Sequence, residues 1–295
     1  MRLSWVIVPA MDTISSPPPG ARADWTIDQG WGRYQDAEHE VWTTLYERQS
    51  ALLPGRACDA FLRGLDALDL HQGGIPDFAR INGDLAGLTG WSVVAVPGLV
   101  PDAVFFDHLA NRRFPAGRFI RERAQLDYLR EPDVFHDVFG HVPMLTDPIF
   151  ADYMQAYGQG GLRALHLDQL HNLARLYWYT VEFGLLRTPQ GPRIYGAGIV
   201  SSRAESTFAL DDPSPNRLGF DLERIMRTPY RIDDFQQTYF VVPSLDALLG
   251  ATLQDFAPIY ARLRDAPDIP IETISASDTV ITHGTQAYAR AQAGQ

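Results

Sequence analysis

Glu182 constrains this chain more than any other residue. It stands in the run Tyr177-Trp178-Tyr179-Thr180-Val181-Glu182-Phe183-Gly184, where a buried, ionised carboxylate needs a cation or strong hydrogen-bond donors beside it. One helix earlier, the segment Pro132–Pro143 carries two imidazoles, His136 and His141. Two histidines and a carboxylate are the ligand set of the facial triad that holds non-haem Fe(II) on one face and leaves the other open to water, dioxygen and substrate.

The spacing of the histidines narrows the chemistry. Zinc-protease helices place two histidines at i and i+4 on one helical face. Here the separation is five, which on an ideal helix turns the second imidazole roughly 140° away from the first. The two can share one ion only if the helix ends or distorts near His141, and Gly140 and Pro143 are residues expected at such an end. His166 and His171 repeat the spacing and serve as an internal control. A single helix running from His171 to Glu182 would separate them by roughly 16 Å, too far to bind one ion together. For His136 and His141 the carboxylate comes from another element, so folding can close the gap. A zinc hydrolase stays open as an alternative, weakened by the spacing and by the lack of a well-placed general base.

A chain of 295 residues, 45% of them apolar, can bury one substantial core. Its net charge of −11 disfavours nucleic acid and anionic membrane as partners. All 25 basic residues are arginine, a bias of composition rather than of mechanism. The lone Cys58 cannot form an intramolecular disulfide and fits a reducing cytoplasm. The apolar stretch Leu3–Met11 is too short and too interrupted for a membrane span or a secretion signal.

Residues 1–35, with Pro17-Pro18-Pro19-Gly20, are expected to form a flexible arm, residues 36–265 the catalytic domain, and residues 266–295 a polar tail. Apolar periodicity predicts helices over Ala37–Leu53 and Cys58–Leu70, broken at Pro54-Gly55, and short helices over Val104–Ala110, Asp133–Gly140 and Pro148–Gly158. The longest apolar helix is expected from about Leu165 or Leu170 to Leu186, with a final pair within Leu245–Arg264. Val93–Leu99, Ile194–Ile199 and Tyr239–Val242 have strand character. The fold class is mainly α (α+β), with a few short strands.

Three blocks, Pro132–Pro143, Tyr177–Gly184 and Tyr195–Ser202, stand in this order, supported by Leu52–Cys58 and Phe235–Val241. In these blocks the chain resembles the pterin-dependent aromatic amino acid hydroxylases, most closely the bacterial phenylalanine 4-hydroxylases, over about residues 36–260. The resemblance implies a helical basket around a non-haem iron held by His136, His141 and Glu182, with tetrahydropterin as cofactor and O2 as co-substrate. It places the pterin on Phe105, with Val100, Asp102, Asp137 and Tyr177 around it. It implies that Arg121 grips the substrate carboxylate, a role to which its planar fork is suited. Ser201 and Glu205 would support a ligand histidine or the polar end of the substrate, while Leu129, Pro132 and Trp178 line the ring pocket.

Trp178 and Ile232 bear on specificity. Tyrosine-hydroxylating relatives carry an aspartate where this chain has Ile232, and tryptophan-hydroxylating relatives tend to have phenylalanine where Trp178 stands. The pair therefore points to L-phenylalanine, although shape alone discriminates by only about 1–3 kcal/mol per group. A tryptophan hydroxylase, and a metal-binding protein that keeps the fold without turnover, are the alternatives. The expected state is a cytoplasmic monomer without nucleic-acid or membrane partners.

Overall fold

A computed structural model describes residues 16–71, 73–127 and 131–293. Helices dominate. A small parallel pair, β1 (Ser92–Val96) and β2 (Arg113–Gly117), is joined by the crossover helix Asp102–Ala110, as parallel strands require a long connection. A second sheet has the order β4-β3-β6-β5-β7, built from β3 (Leu185–Thr188), β4 (Gly191–Ile194), β5 (Asn216–Gly219), β6 (Thr238–Val242) and β7 (Val280–Thr282). Among the described residues no helix is long and apolar enough to cross a membrane.

Helix Asp36–Leu52 starts at a reciprocal cap between Gln35 and Glu38 and ends before Pro54, as the periodicity predicts. Helix Pro148–His166 runs well past the expected Gly158. Asp147 caps it by accepting the Ile149 and Phe150 N–H groups, and Pro148 fills its first position, where a missing donor is harmless. Its glycines let the crossover helix lie against it. A Cβ on Gly158 would sit 2.4 Å from the Ala110 nitrogen, and one on Gly161 would enter the Phe106 ring. This contact fixes the crossover helix, and with it Phe105, against the helical body.

The expected arm, one expected strand, the long apolar helix and the polar tail also differ from the sequence reading. Residues 1–15 of the expected arm lie outside the described residues, but from Ser16 onward the chain is not a free arm. Trp25 is buried, Ile27 N–H donates to the Ala95 carbonyl at 2.8 Å, and the Trp31 indole donates to the Ile75 carbonyl at 2.7 Å. The aromatic area after the proline cluster outweighs its irregular backbone. The stretch Ile194–Ile199 is not one strand: β4 stops at Ile194 and a helical turn, Ala197–Val200, follows. The long apolar helix stops at Glu182, and Leu185-Leu186 enter β3. The polar tail is ordered in part, with β7 antiparallel to β5 and helix Ala287–Ala293 beyond it.

Replacing Gly158 with alanine is expected to cost about 1–3 kcal/mol, because a methyl group has no room against a backbone that cannot move. Urea denaturation checks this, and an unchanged midpoint would mean the two helices pack more loosely than described.

Candidate metal centre and substrate cavity

The two ligand histidines lie on a π-helix, Phe135–His141, that passes directly into a 3-10 helix, Val142–Thr146. Its i→i+5 hydrogen bonding stacks residues five apart, so the separation that an α-helix would splay is the one this turn brings together. The helix does not end at Gly140; it distorts. The carboxylate arrives in the same way. Helix Leu170–Tyr177 continues as a π-turn, Trp178–Glu182, closed by Phe183 N–H donating to the Trp178 carbonyl at 2.8 Å.

His141 Nε2 lies 3.3 Å from Glu182 Oε1 and 3.3 Å from His136 Nε2, and His136 Nε2 lies 3.6 Å from Glu182 Oε2. Metal–nitrogen and metal–oxygen bonds of about 2.0–2.2 Å set at right angles put ligand atoms about 3 Å apart, so these side chains fit a facial ion. They form a three-residue group that could hold a metal among the described residues. Glu182 is buried to 3% exposure. Burial pushes its carboxyl up, but His141 and His136, with a hydrogen bond from the Gly198 backbone, hold it below the ordinary carboxylate value. Burial lowers His136 to about 4, opposed in part by Glu182, which keeps it neutral, the form that binds metals.

Ser201 orients His136. Its hydroxyl donates to the Ala197 carbonyl at 2.7 Å and so accepts from His136 Nδ1–H at 3.0 Å, leaving the Nε2 lone pair for an ion. Asp133, which the sequence reading missed, holds the start of the ligand helix. It accepts the His136 N–H at 3.0 Å and pairs in bidentate fashion with Arg121, from Nε at 2.8 Å and from a terminal nitrogen at 2.9 Å. It is fully buried, and despite that burial the Arg121 bonds hold its carboxyl below the ordinary value. A carboxylate three residues before a helical histidine is a capping signal visible in the sequence. One edge of the Arg121 fork is therefore committed to Asp133, and Arg121 lines the cavity.

That cavity, of about 650 Å³, is lined by His136, Glu182, Arg121, Pro132, Trp178, Ser201, Glu205 and Ile232 among others. Its volume suits a small ligand. Trp178 stacks on Tyr230 with centroids 4.5 Å apart and planes at 16°, and its indole N–H donates to Gln236 Oε1 at 2.9 Å. Leu129 falls outside the described residues. None of the five residues expected around a pterin lines this cavity. Phe105 meets Tyr177 edge-on at 5.9 Å, Tyr177 lies 6.4 Å from the His141 ring, and Asp137, on the ligand helix itself, accepts the Gly117 N–H at 2.7 Å. Burial raises the Asp137 carboxyl well above its ordinary value. Val100 and Asp102 stand where the chain leaves β1 for the crossover helix.

Glu205 accepts hydrogen bonds from the Tyr239 hydroxyl and, at 3.5 Å, from Gln236 N–H. Burial dominates and pushes its carboxyl from 4.5 up to about 7. Between those pH values the folded chain holds a proton that the unfolded chain has lost, so stability falls as pH rises through the window and stays lower above it. Glu205→Gln is expected to remove this loss, making the variant more stable than wild type at pH 8 by on the order of 3 kcal/mol and near parity at pH 4.5; urea denaturation at the two pH values checks it. Ser201→Ala is expected to weaken Fe(II) affinity by about 10–100-fold through loss of the His136 anchor, as measured by chelator competition.

The family model for biopterin-dependent aromatic amino acid hydroxylases matches residues 31–266. The phenylalanine-4-hydroxylase of Caulobacter vibrioides is 73% identical over 277 residues, 94% of each chain. That of Chromobacterium violaceum is 58% identical over 261 residues, 88% of each chain. The Chromobacterium violaceum structure with iron and phenylalanine bound matches at a TM-score of 0.85 and 55% identity, covering 90% of this chain and 96% of that one. Its structure with Fe(III) matches at a TM-score of 0.86 and 56% identity, covering 93% of this chain and all of that one. By its sequence, its fold and its two-histidine, one-carboxylate centre, the chain belongs to the biopterin-dependent aromatic amino acid hydroxylases.

Proposed function

We propose that this chain is a phenylalanine 4-monooxygenase, which uses Fe(II), a tetrahydropterin and O2 to convert L-phenylalanine to L-tyrosine. The observation that carries this reading is that two of the three ligand side chains, His136 and Glu182, open onto the same cavity as the aromatic platform of Trp178. When bound, the iron and the reduced pterin supply the electrons that divide O2 between ring and pterin.

The protein's own contribution is placement. Trp178, held by Gln236 and backed by Tyr230, offers a flat face for an aromatic ring, and Ile232 and Pro132 add apolar wall without a partner for a ring hydroxyl. Arg121 would attract the substrate carboxylate from the cavity wall, with Asp133 keeping its side chain in one orientation. Ser201 and Glu205 would serve the ligand histidine and the polar end of the substrate. The pterin would stack on Phe105 beside Tyr177, with Val100, Asp102 and Asp137 along its polar edge. Substrate filling the cavity onto which Glu182 opens would displace bulk water from the reacting centre. A cytoplasmic monomer belongs to the same proposal.

Tyrosine formation by the iron-reconstituted protein, supplied with tetrahydropterin and air and offered phenylalanine and tryptophan in competition, tests the reading. Tyrosine should dominate. A preponderance of 5-hydroxytryptophan would overturn the substrate assignment, and neither product from iron-loaded protein would overturn the activity. Glu182→Ala is expected to lose stoichiometric iron and all turnover, and full activity with iron retained would sink the ligand assignment.

A further inference from the structure

We propose that the C-terminal segment, Val280–Ala293, completes the substrate cavity, and that Tyr288 is a positioning residue which acts on Trp178 through Asp234 and Gln236. This rests on the function proposed above. The segment lies past residue 266, the last that the family model matches.

The segment is seated by specific contacts. Upstream, Asp278 forms a buried ion pair with Arg224 at 3.1 Å. β7 then pairs with β5, Gly284 N–H donates to Asn216 Oδ1 at 3.0 Å, and Gln286 N–H donates to the Ser214 carbonyl at 2.8 Å. A Cβ on Gly284 would lie 2.4 Å from the Pro215 carbonyl carbon, so the backbones approach as closely as only glycine allows. Tyr288 follows this seat, its N–H donating to Ser214 Oγ at 2.9 Å.

From there Tyr288 reaches the cavity, which it lines together with Asp234, Phe235 and Gln236. Its hydroxyl donates to Asp234 Oδ1 at 2.8 Å, and its ring lies edge-on, 5.3 Å away, to both Phe208 and Phe235, themselves stacked at 4.4 Å. Asp234 Oδ1 also accepts the Phe235 N–H at 2.8 Å. The next residue, Gln236, donates its amide hydrogens to the Arg231 and Asp234 carbonyls at 3.0 and 3.2 Å, which turns its oxygen toward the Trp178 indole. An unbroken set of contacts thus runs from the C-terminal helix to the platform on which the substrate ring would lie. The hydroxyl of Tyr288 sets the Asp234 carboxylate, the loop places the Gln236 amide, and the amide fixes the plane of Trp178.

The test compares wild type, Tyr288→Phe and Tyr288→Ala, each loaded with iron. Calorimetric Kd for L-phenylalanine is expected to rise about fivefold in Tyr288→Ala, the scale of one coupled contact, and less in Tyr288→Phe, which keeps the ring. Turnover at saturation and iron content should stay near wild type, while the preference for phenylalanine over tryptophan falls. Tyr288→Phe and Asp234→Ala should be non-additive. A readout that needs neither ligand nor turnover is the 19F resonance of Trp178 in 5-fluorotryptophan-labelled protein, assigned with Trp178→Phe; it should shift in both Tyr288 variants. An unmoved resonance with unchanged Kd and substrate preference in folded Tyr288→Ala would overturn the proposal. Wild type that fails to hydroxylate phenylalanine while the resonance still shifts would instead remove the functional reading and leave the coupling standing.

Discussion

The carboxylate of Glu182 lies under an apolar cover with two imidazoles at 3.3 and 3.6 Å, a meeting that an ion shared by the three groups would satisfy. Everything else in the centre serves that meeting. Left alone, such a group would take up a proton or drag water inward. Held between His136 and His141 it stays a ligand, and burial keeps His136 neutral. The donor set, the geometry and the electrostatics are thus one arrangement seen from three sides.

Two π-turns make the meeting possible. Such turns are rare and interrupt regular helix hydrogen bonding, so they persist only where the surroundings hold them. Asp133 and Arg121 supply that hold at the histidine turn, as a buried bidentate pair that also caps the His136 amide. Phe135 and Phe139 stack at 4.7 Å on the same turn and bind it into the core. Ser201, on a separate helical turn, then sets the imidazole tautomer. His136 is fixed twice, once through its backbone amide by Asp133 and once through its ring by Ser201.

The legible parts of the site are those whose chemistry is local. His136 and His141 announced a helix end or a distortion by a spacing that an ideal helix cannot use, and Glu182 stood out because its neighbours are apolar. Asp133 was legible in principle as a cap. Gln236 and Tyr288 carried no signal, since a glutamine in a polar loop and a tyrosine near the C-terminus are ordinary until folding brings them beside Trp178. Periodicity likewise found helix Asp36–Leu52, but it missed β3, β5 and β7, short strands of which β5 and β7 take their partners from residues distant in the chain. It also read Trp25 and Ile27 as part of an arm, because a proline cluster is a local signal and the core they join is not.

By itself the sequence determined which ion-binding groups this protein has, that their helix must end or distort near His141, and that its class is mainly helical, because residue type, spacing and apolar periodicity are properties of neighbours along the chain. Only the tertiary structure decided that the distortion is a π-turn rather than a helix end. The same holds for the commitment of one Arg121 edge to Asp133 and for the place of the C-terminal segment in the cavity wall. Those outcomes depend on contacts between residues 12 to 74 positions apart, and their stability comes from burial and pairing that no local stretch of sequence contains.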